Sequence, residues 1–168
     1  MALAGLGAGQ ARGDRTRQDE PPRGALRDAT HRYQIVIAAG WRPLAAPEGT
    51  LAAYAAEGGR APLAVTRVAT GTRAARDLET LAAQVERGVE RVTRRFRRVR
   101  RKLSDSSRGA ILDLVYKRTS STGSELVLSR YLFFSRHTVV LSIGLPADAA
   151  RSERRAAESM VKSFVPYE

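Results

Sequence analysis

Six short runs along the chain have the character of β-strands: some alternate in the faces that their residues share, and others are rich in apolar, β-branched and aromatic residues. The predicted strands cover residues 33–37, 51–56, 63–68, 110–118, 126–135 and 138–145. The first three are predicted to form an antiparallel meander, with Gly58 and Gly59 marking one of its turns. The last three are joined by a loop at 119–124 and by Arg136-His137, which predicts two successive hairpins.

A different spacing begins near residue 76, where apolar residues recur every three or four positions. The stripe consists of Leu78, Leu81, Val85, Val89, Val92, Phe96, Val99 and Leu103. This spacing places the residues on one face of a helix. An unbroken helix of nearly thirty residues would be long for a compact domain. The pattern therefore leaves two interpretations open, a single helix over 75–103 or a helix that breaks near 94–97.

A second helix is predicted at the end of the chain. Its apolar positions follow helical spacing and are Ala157, Met160, Val161 and Phe164. Asp148 or Ser152 is expected to cap its start, and Pro166 to end it. Strands that occur in runs, rather than alternating with helices, indicate an α+β fold. We therefore predict an antiparallel sheet with a long helix and a C-terminal helix packed on it.

The first thirty residues carry no apolar period and contain Gly, Ala, Gln, Arg and Asp with a Pro-Pro break. Residues 1–30 are therefore predicted to be a disordered tail before one domain at 31–168. The opening MALAGLGAGQA is similar to the back half of a secretory signal peptide, but it lacks a basic front. Two expectations stay open: an exported or periplasmic protein whose start lies upstream, or a cytoplasmic protein with an Ala/Gly-rich tail.

The composition describes a basic globular chain of 168 residues, with 29 Lys plus Arg against 17 Asp plus Glu and a formal net charge of +12. It has no Cys and only two His, which excludes a disulfide framework, a zinc ribbon, an iron–sulfur site and a thiolate nucleophile. No window approaches eighteen apolar residues, the length that a membrane-spanning helix needs. We expect no metal and no cofactor.

Several segments of the chain resemble one known fold family. They are YQIVIAAGW, APLAVTRV, RDLETLAAQVERGVERV, ILDLVYKR, ELVLSRYLFFSRHTVVLSIGL and SMVKSFVPYE. In this order they resemble the PsbP-like, Mog-type αβα sandwich, including the bacterial DcrB-like branch, over about residues 33–166. In that family the long helix ends before a strand, so the resemblance implies that residues 96–104 form a strand.

The resemblance also implies a kind of function. Family members are similar to accessory subunits, adaptors and chaperone-like binders, and they share no common active site. One branch binds a small GTPase, one assists photosystem II, and one chaperones apolar segments of secretion effectors. The expectation is a non-enzymatic accessory or adaptor domain that recognises an acidic or partly apolar protein partner. No catalytic residue is carried over.

The densest candidate site is an Arg-rich block that follows the predicted helix. Its tentative binding residues are Arg94, Arg95, Arg97, Arg98, Arg100, Arg101 and Lys102. Such a block is typical of a solvated basic face, or it binds an acidic protein surface or lipid headgroups. The alternative is a nucleic-acid-associated protein that uses residues 94–102 as a phosphate clamp, but no aromatic stacking platform accompanies the block. Trp41, which follows the first predicted strand, is a tentative anchor for a partner or a core residue.

Candidates for catalysis are weaker. His137 is predicted to be a solvated turn residue, and the hydroxyl residues at 120–124 lie in a turn without a nucleophile motif. Asp113 and Glu125, on the two arms of one hairpin, could form an acid pair, but exposed carboxylates opposite Lys117 or Arg130 are the commoner arrangement. The sequence therefore favours a protein that is not an enzyme.

Overall fold

The computed structural model describes residues 24–69, 77–105 and 109–167. These residues form ten strands and two α-helices, with a single 3-10 turn at Glu57–Gly59. The elements are β1 (Ala25–Asp28), β2 (Tyr33–Val36), β3 (Arg42–Pro43), β4 (Thr50–Ala55), β5 (Leu63–Ala69), α1 (Leu78–Val92), β6 (Arg97–Ser104), β7 (Ala110–Ser120), β8 (Gly123–Phe133), β9 (His137–Pro146), α2 (Arg151–Ser163) and β10 (Val165–Pro166). Neither helix is long and apolar enough to cross a membrane.

Seven strands form one antiparallel sheet in the order β3-β4-β5-β9-β8-β7-β6. The two hairpins predicted from the alternating pattern, β7–β8 and β8–β9, are confirmed. The β7–β8 loop is tighter than predicted, because pairing continues to Ser120 and Gly123 and leaves only Ser121 and Thr122 unpaired. The long central hairpins make a frame on which both helices pack.

The two faces of this sheet bury different apolar clusters. One cluster joins α2 to β5, β8 and β9, and its fully buried members include Leu63, Leu132, Leu141, Ile143 and Met160. The other lies under α1 and includes Ala82, Leu112, Leu114, Tyr116 and Val127. Alternate residues of each central strand therefore pack on opposite faces of the sheet, one face towards α1 and the other towards α2. The α+β sandwich with a helix on each face is confirmed.

The chain leaves the helical conformation after Val92. Asp77 caps the start of α1 by accepting hydrogen bonds from the backbone N–H of Glu79 and Thr80. At the other end, Arg95 adopts a left-handed backbone conformation with φ of 54°, and β6 begins two residues later. The strand implied by the resemblance is thereby confirmed, and the single helix over 75–103 is wrong.

A second, three-stranded sheet has the order β1-β2-β10. The predicted meander is therefore only partly correct: β4 and β5 pair as expected, but β2 lies between β1 and β10. The predicted domain start at His31 is also too late, since Ala25–Asp28 is a strand paired with β2. Residues 1–23 lie outside the described residues, and the disorder of the tail stays a prediction.

The expected caps of α2 are wrong. Its N-cap is Ala150, whose side chain makes no capping hydrogen bond. Asp148 instead accepts a hydrogen bond from Arg60 at 3.0 Å, and Ser152 lies inside the helix. The helix ends at Ser163, before Pro166 as predicted, and the chain continues into β10.

Candidate functional site

The basic residues of β6 divide between the two faces of the sheet because of a β-bulge. The register of β6 against β7 shifts between Arg98 and Arg100, with Val99 as the extra residue. Directly opposed residues of an antiparallel pair share a face. Arg98 lies opposite Tyr116 on the α1 side, while Arg100 lies opposite Val115 on the other side.

On the α1 side, the arginines of β6 are neutralised by the helix. Arg98 donates a hydrogen bond to Glu86 at 2.8 Å, and Arg101 donates one to Glu79. The Nε atom of Arg101 also lies 3.7 Å from the second carboxylate oxygen of Glu86. Half of the Arg98 side chain is exposed, at 53%, whereas Arg101 is mostly covered, at 24%. These two arginines hold α1 against the sheet and are not free to bind a partner.

On the opposite side, four cations form a row that we call the cationic strip: Arg97, Arg100 and Lys102 of β6 and Lys117 of β7. Register places Arg97 opposite Lys117, so the two strands contribute to the same surface. All four residues are exposed. None of their side chains makes a hydrogen bond or ion pair with any residue that the structure describes. The strip is therefore a positive surface without a counter-charge among the described residues.

A structural ion pair lies beside the strip. Asp113, opposite Lys102 on β7, forms two hydrogen bonds with Arg130, of 2.6 and 2.9 Å. Arg130 also donates to the backbone oxygens of Lys162 and Phe164 at the end of α2, at 3.1 and 3.4 Å. Because the carboxylate of Asp113 is paired with Arg130, it does not neutralise Lys102 beside it. This group ties the sheet to α2.

The remaining members of the Arg-rich block lie outside the strip. Arg94 and Arg95 are exposed in the turn between α1 and β6. The turn is fixed to the sheet through its backbone, since Thr119 N–H donates to the carbonyl of Arg94 at 3.1 Å. The structure thus separates the seven basic residues singled out in the sequence into three environments: a turn, a helix-facing pair and the strip.

Trp41 is not an exposed anchor. It is 9% exposed and belongs to the cluster that includes Leu63, Leu141 and Phe164. The backbone N–H of Trp41 donates to the carbonyl of Ala38 in the turn after β2. Of its two interpretations, the structure supports the core residue.

The candidate acids occupy structural ion pairs. Glu125 accepts a hydrogen bond from Arg118 Nε at 2.8 Å, just as Asp113 is held by Arg130. Burial raises the pKa of Glu125, but hydrogen bonds from Ser120, Arg118 and Thr122 outweigh it and lower the pKa. The two carboxylates therefore face separate cations and form no acid pair. The turn hydroxyls bond to each other and to Glu125.

The two histidines meet, although 106 residues separate them. Their rings pack edge to face at 6.3 Å, and His137 Nε2 lies 3.2 Å from the carbonyl oxygen of His31. His31 Nδ1 bonds to Asp28 at 2.8 Å, while His137 stacks on Phe134. His137 is therefore a packed residue at the start of β9 rather than a solvated turn residue. Within the described ranges, no three His, Cys, Asp or Glu side chains are grouped to hold a metal.

An open cleft of about 510 Å³ lies between the small sheet and the β3–β4 region. Leu26, Leu44 and Leu51 contribute to its apolar wall, with Tyr33 and Tyr54. Burial raises the pKa of Tyr33 to about 12, and the nearby charge of Asp28 acts in the same direction. Asp28 itself is bonded to His31, and Arg27 lies over the ring of Tyr167. The charged groups at the cleft are thus already in contact with other parts of the fold.

Lys117 was missed as a site residue in the sequence. The signal for it was present in the alternation of β7, where Leu112, Leu114 and Tyr116 are apolar and Lys117 belongs to the opposite face. What the sequence lacked was the pairing of β7 with the basic strand. That pairing places Lys117 beside Arg97.

Comparison with known proteins shows similarity in structure rather than in sequence. No family model matches the sequence, and no curated protein matches it either. Among solved structures, cyanobacterial PsbP (CyanoP) from Synechocystis sp. PCC 6803 is similar with a TM-score of 0.63 at 12% identity, over 85% of this chain and 91% of that chain. The Saccharomyces cerevisiae Ran-binding protein Mog1p has a TM-score of 0.60 at 12% identity, over 86% and 95% of the two chains.

A third similar structure is LpqN of Mycobacterium tuberculosis, described as involved in cell envelope biogenesis. It has a TM-score of 0.56 at 12% identity, over 81% of this chain and 83% of that chain. Each of the three similarities covers more than four fifths of both chains. The resemblance identified in the sequence is confirmed at the level of architecture: this chain has the PsbP/Mog-type αβα fold.

Proposed function

We propose that this chain is a non-enzymatic accessory or binding domain that docks an acidic protein surface on its cationic strip. The observation that carries the proposal is the absence of partners for Arg97, Arg100, Lys102 and Lys117 among the described residues, next to arginines that do have partners. Fixed cations without counter-charges attract a negatively charged surface and speed its association.

A protein partner is supported by the fold and by the chemistry of the surrounding residues. One structural neighbour is described as a Ran-binding protein, so the fold is compatible with recognition of a folded protein. The carboxylates best placed for acid–base chemistry, Asp113 and Glu125, are held in ion pairs with Arg130 and Arg118. Their contacts stabilise the fold, which favours a binding role over a catalytic one.

Nucleic acid is the second candidate, because a row of cations can also contact phosphates. Single strands are commonly bound through aromatic side chains that stack on bases. Phe96, the aromatic residue within the basic segment 94–102, packs against Tyr116 under α1, with ring centroids 5.2 Å apart. It lies on the side opposite the strip. A carboxylate-rich protein surface needs only the charges, and it therefore fits the strip better.

The test compares two triple variants of equal net charge. The strip variant is Arg97→Gln/Arg100→Gln/Lys102→Gln. The control variant is Arg136→Gln/Arg151→Gln/Arg155→Gln, which removes three exposed arginines that have no partner among the described residues. Binding of a fluorescent poly-glutamate peptide and of a mixed-sequence DNA duplex is measured by anisotropy at several salt concentrations.

We expect the strip variant to bind the peptide about ten- to a hundredfold more weakly than the unaltered chain, since three exposed ion pairs contribute up to about 1 kcal/mol each. The control variant should lose much less. Equal losses in both variants would show that net charge alone attracts the peptide and would refute the strip. Tighter binding of the duplex than of the peptide at the same salt, lost in the strip variant, would replace the protein partner with nucleic acid.

A further inference from the structure

β6 is the last strand of the seven-stranded sheet. It pairs with β7 on one edge, and in the part of the chain that the structure describes nothing pairs with its outer edge. Alternate N–H and C=O groups of an edge strand point away from the sheet and can pair with another strand. Eight residues, Arg97–Ser104, make a long edge, although the bulge at Val99 limits regular pairing to Arg100–Ser104.

The charge of this edge selects the strand that can join it. β6 carries five basic residues and no acidic one. Two copies of β6 placed edge to edge would bring these charges within the spacing of neighbouring strands, about 4.8 Å, so a second copy of this chain is disfavoured. An extended segment with carboxylates would meet opposite charges at the same spacing. The charges therefore disfavour pairing of β6 with a second copy of itself and favour pairing with an acidic strand.

The two faces of β6 also dictate the side-chain pattern of that strand. On the α1 face, Arg98 and Arg101 are already bound by Glu86 and Glu79. On the strip face, Arg100 and Lys102 have no partner among the described residues. Since side chains of a strand alternate between faces, an added strand needs acidic residues only at every second position. Neutral residues fit the positions between them.

We propose that the outer edge of β6 accepts an extended acidic segment of a partner protein as an eighth strand of the sheet. This inference rests on the proposed function and adds the form in which the partner binds. Backbone hydrogen bonds to Arg100–Ser104 supply the pairing, and carboxylates on one face of the segment meet the cationic strip. The sequence of the segment is then an alternation of acidic residues with neutral residues that favour strands.

The experiment uses the full chain and a short peptide of alternating glutamate and threonine. Two further peptides have the same sequence and charge but carry N-methyl groups on either the odd or the even residues, so that one of them blocks the hydrogen-bonding edge in any register. Affinity is measured by anisotropy. Exchange of backbone amides is followed by NMR in the presence and absence of peptide.

We expect the unmethylated peptide to slow the exchange of outward-facing amides in Arg100–Ser104, and one methylated peptide to bind about tenfold more weakly, the loss of roughly one to two hydrogen bonds. If both methylated peptides bind as well as the parent and the strip variant weakens all three, the strip binds by charge alone. Strand addition is then wrong while the proposed function stands. If the strip variant binds every peptide as well as the unaltered chain does, both proposals fail.

Discussion

The two helices cover opposite faces of one sheet, yet they are held by different interactions. α2 buries Ala157, Met160 and Val161 in the apolar cluster beneath it. α1 has a single buried residue, Ala82, and its other apolar side chains are only partly covered. The α1 face relies in addition on ion pairs from Glu79 and Glu86 to β6. We conclude that α2 contributes more than α1 to the stability of the fold and that α1 is the more weakly held layer.

This difference places the weakly held layer next to the surface proposed for binding. β6 joins α1 through ion pairs on one face and presents the cationic strip on the other. Stability is not uniform across a protein, and regions with little buried apolar surface open most easily. The edge proposed to receive a partner is thus attached to the more weakly held layer.

The largest expected effect on stability comes from truncating an apolar side chain of each helix. Met160→Ala should lower the free energy of unfolding by about 2–5 kcal/mol, because Met160 is fully buried and its removal leaves a cavity. Leu81→Ala, in the partly covered stripe of α1, should cost about 1–2 kcal/mol. Urea denaturation measures both. Equal costs with unchanged m-values would contradict the difference between the helices.

A smaller effect is expected from the ion pairs that attach each helix. The side chains of Arg130 and Asp113 are only 13% and 16% exposed, and Arg130 also bonds to carbonyls at the end of α2. Arg130→Gln should therefore cost about 2–4 kcal/mol, since it leaves a largely covered carboxylate without its partner. Glu86 is itself 15% exposed, but its partner Arg98 is 53% exposed, so solvent can reach the arginine that Glu86→Gln leaves unpaired. Glu86→Gln should therefore cost less than Arg130→Gln, about 1 kcal/mol.

Salt provides the control for these two variants. The cost of Glu86→Gln should shrink in concentrated NaCl, because the half-exposed charge of Arg98 is screened, whereas the cost of Arg130→Gln should persist because both of its charges are largely covered. Urea denaturation at low and high salt measures both. A salt-independent cost for Glu86→Gln would show that the α1 contacts are more shielded from solvent than their exposure indicates.

The smallest effect concerns the starts of the helices. Hydrogen bonds from Thr80 and Glu79 lower the pKa of Asp77 below its ordinary value of 3.8. A carboxylate with a lowered pKa stabilises the fold above its ordinary pKa, and this contribution is lost as the pH falls through the lowered value. The cap of α1 should therefore weaken in acid, whereas the N-cap of α2, Ala150, has no side chain to titrate.

The measurement is an NMR titration of the backbone amides of Glu79 and Thr80 below pH 3.8. We expect both amide signals to move as Asp77 takes up a proton. The Asp77→Asn variant keeps a capping oxygen that does not titrate, so its signals should move much less. Identical titrations in the two proteins would assign the acid response to another group.

The sequence was sufficient for the two long hairpins of the central sheet because their strands are long runs rich in apolar, β-branched and aromatic residues. β7, β8 and β9 each run for ten or more residues, and their alternate residues enter opposite clusters. β1 escaped prediction because its four residues, ALRD, are all partly buried and show no alternation. β2 was predicted, but its partners are β1 and β10, and pairing between segments so far apart leaves no local signal.

The helical stripe that runs past Val92 is a coincidence of spacing. Phe96 and Leu103 do pack under α1, but from a turn and a strand, while Val99 is 54% exposed at the bulge. The bulge also explains why the sequence could not predict which of these arginines share a face. Strict alternation from Arg97 would put Arg98 and Arg101 on opposite faces, whereas the extra residue puts both on the α1 face. A bulge of this kind has no signature in a run of arginines.

The three-stranded sheet has a consequence for how the chain folds as it is synthesised. β2 emerges early, yet Val165 and Pro166 of β10 pair with Gln34 and Tyr33, and the ring of Tyr33 packs on Phe164 at 5.4 Å. These apolar side chains therefore stay uncovered on a nascent chain until residues 164–166 have left the ribosome. Contacts between segments so distant in sequence form late and slowly. We therefore expect the α2 layer to be completed late in folding, and a chain interrupted before residue 164 to leave Tyr33 without its cover.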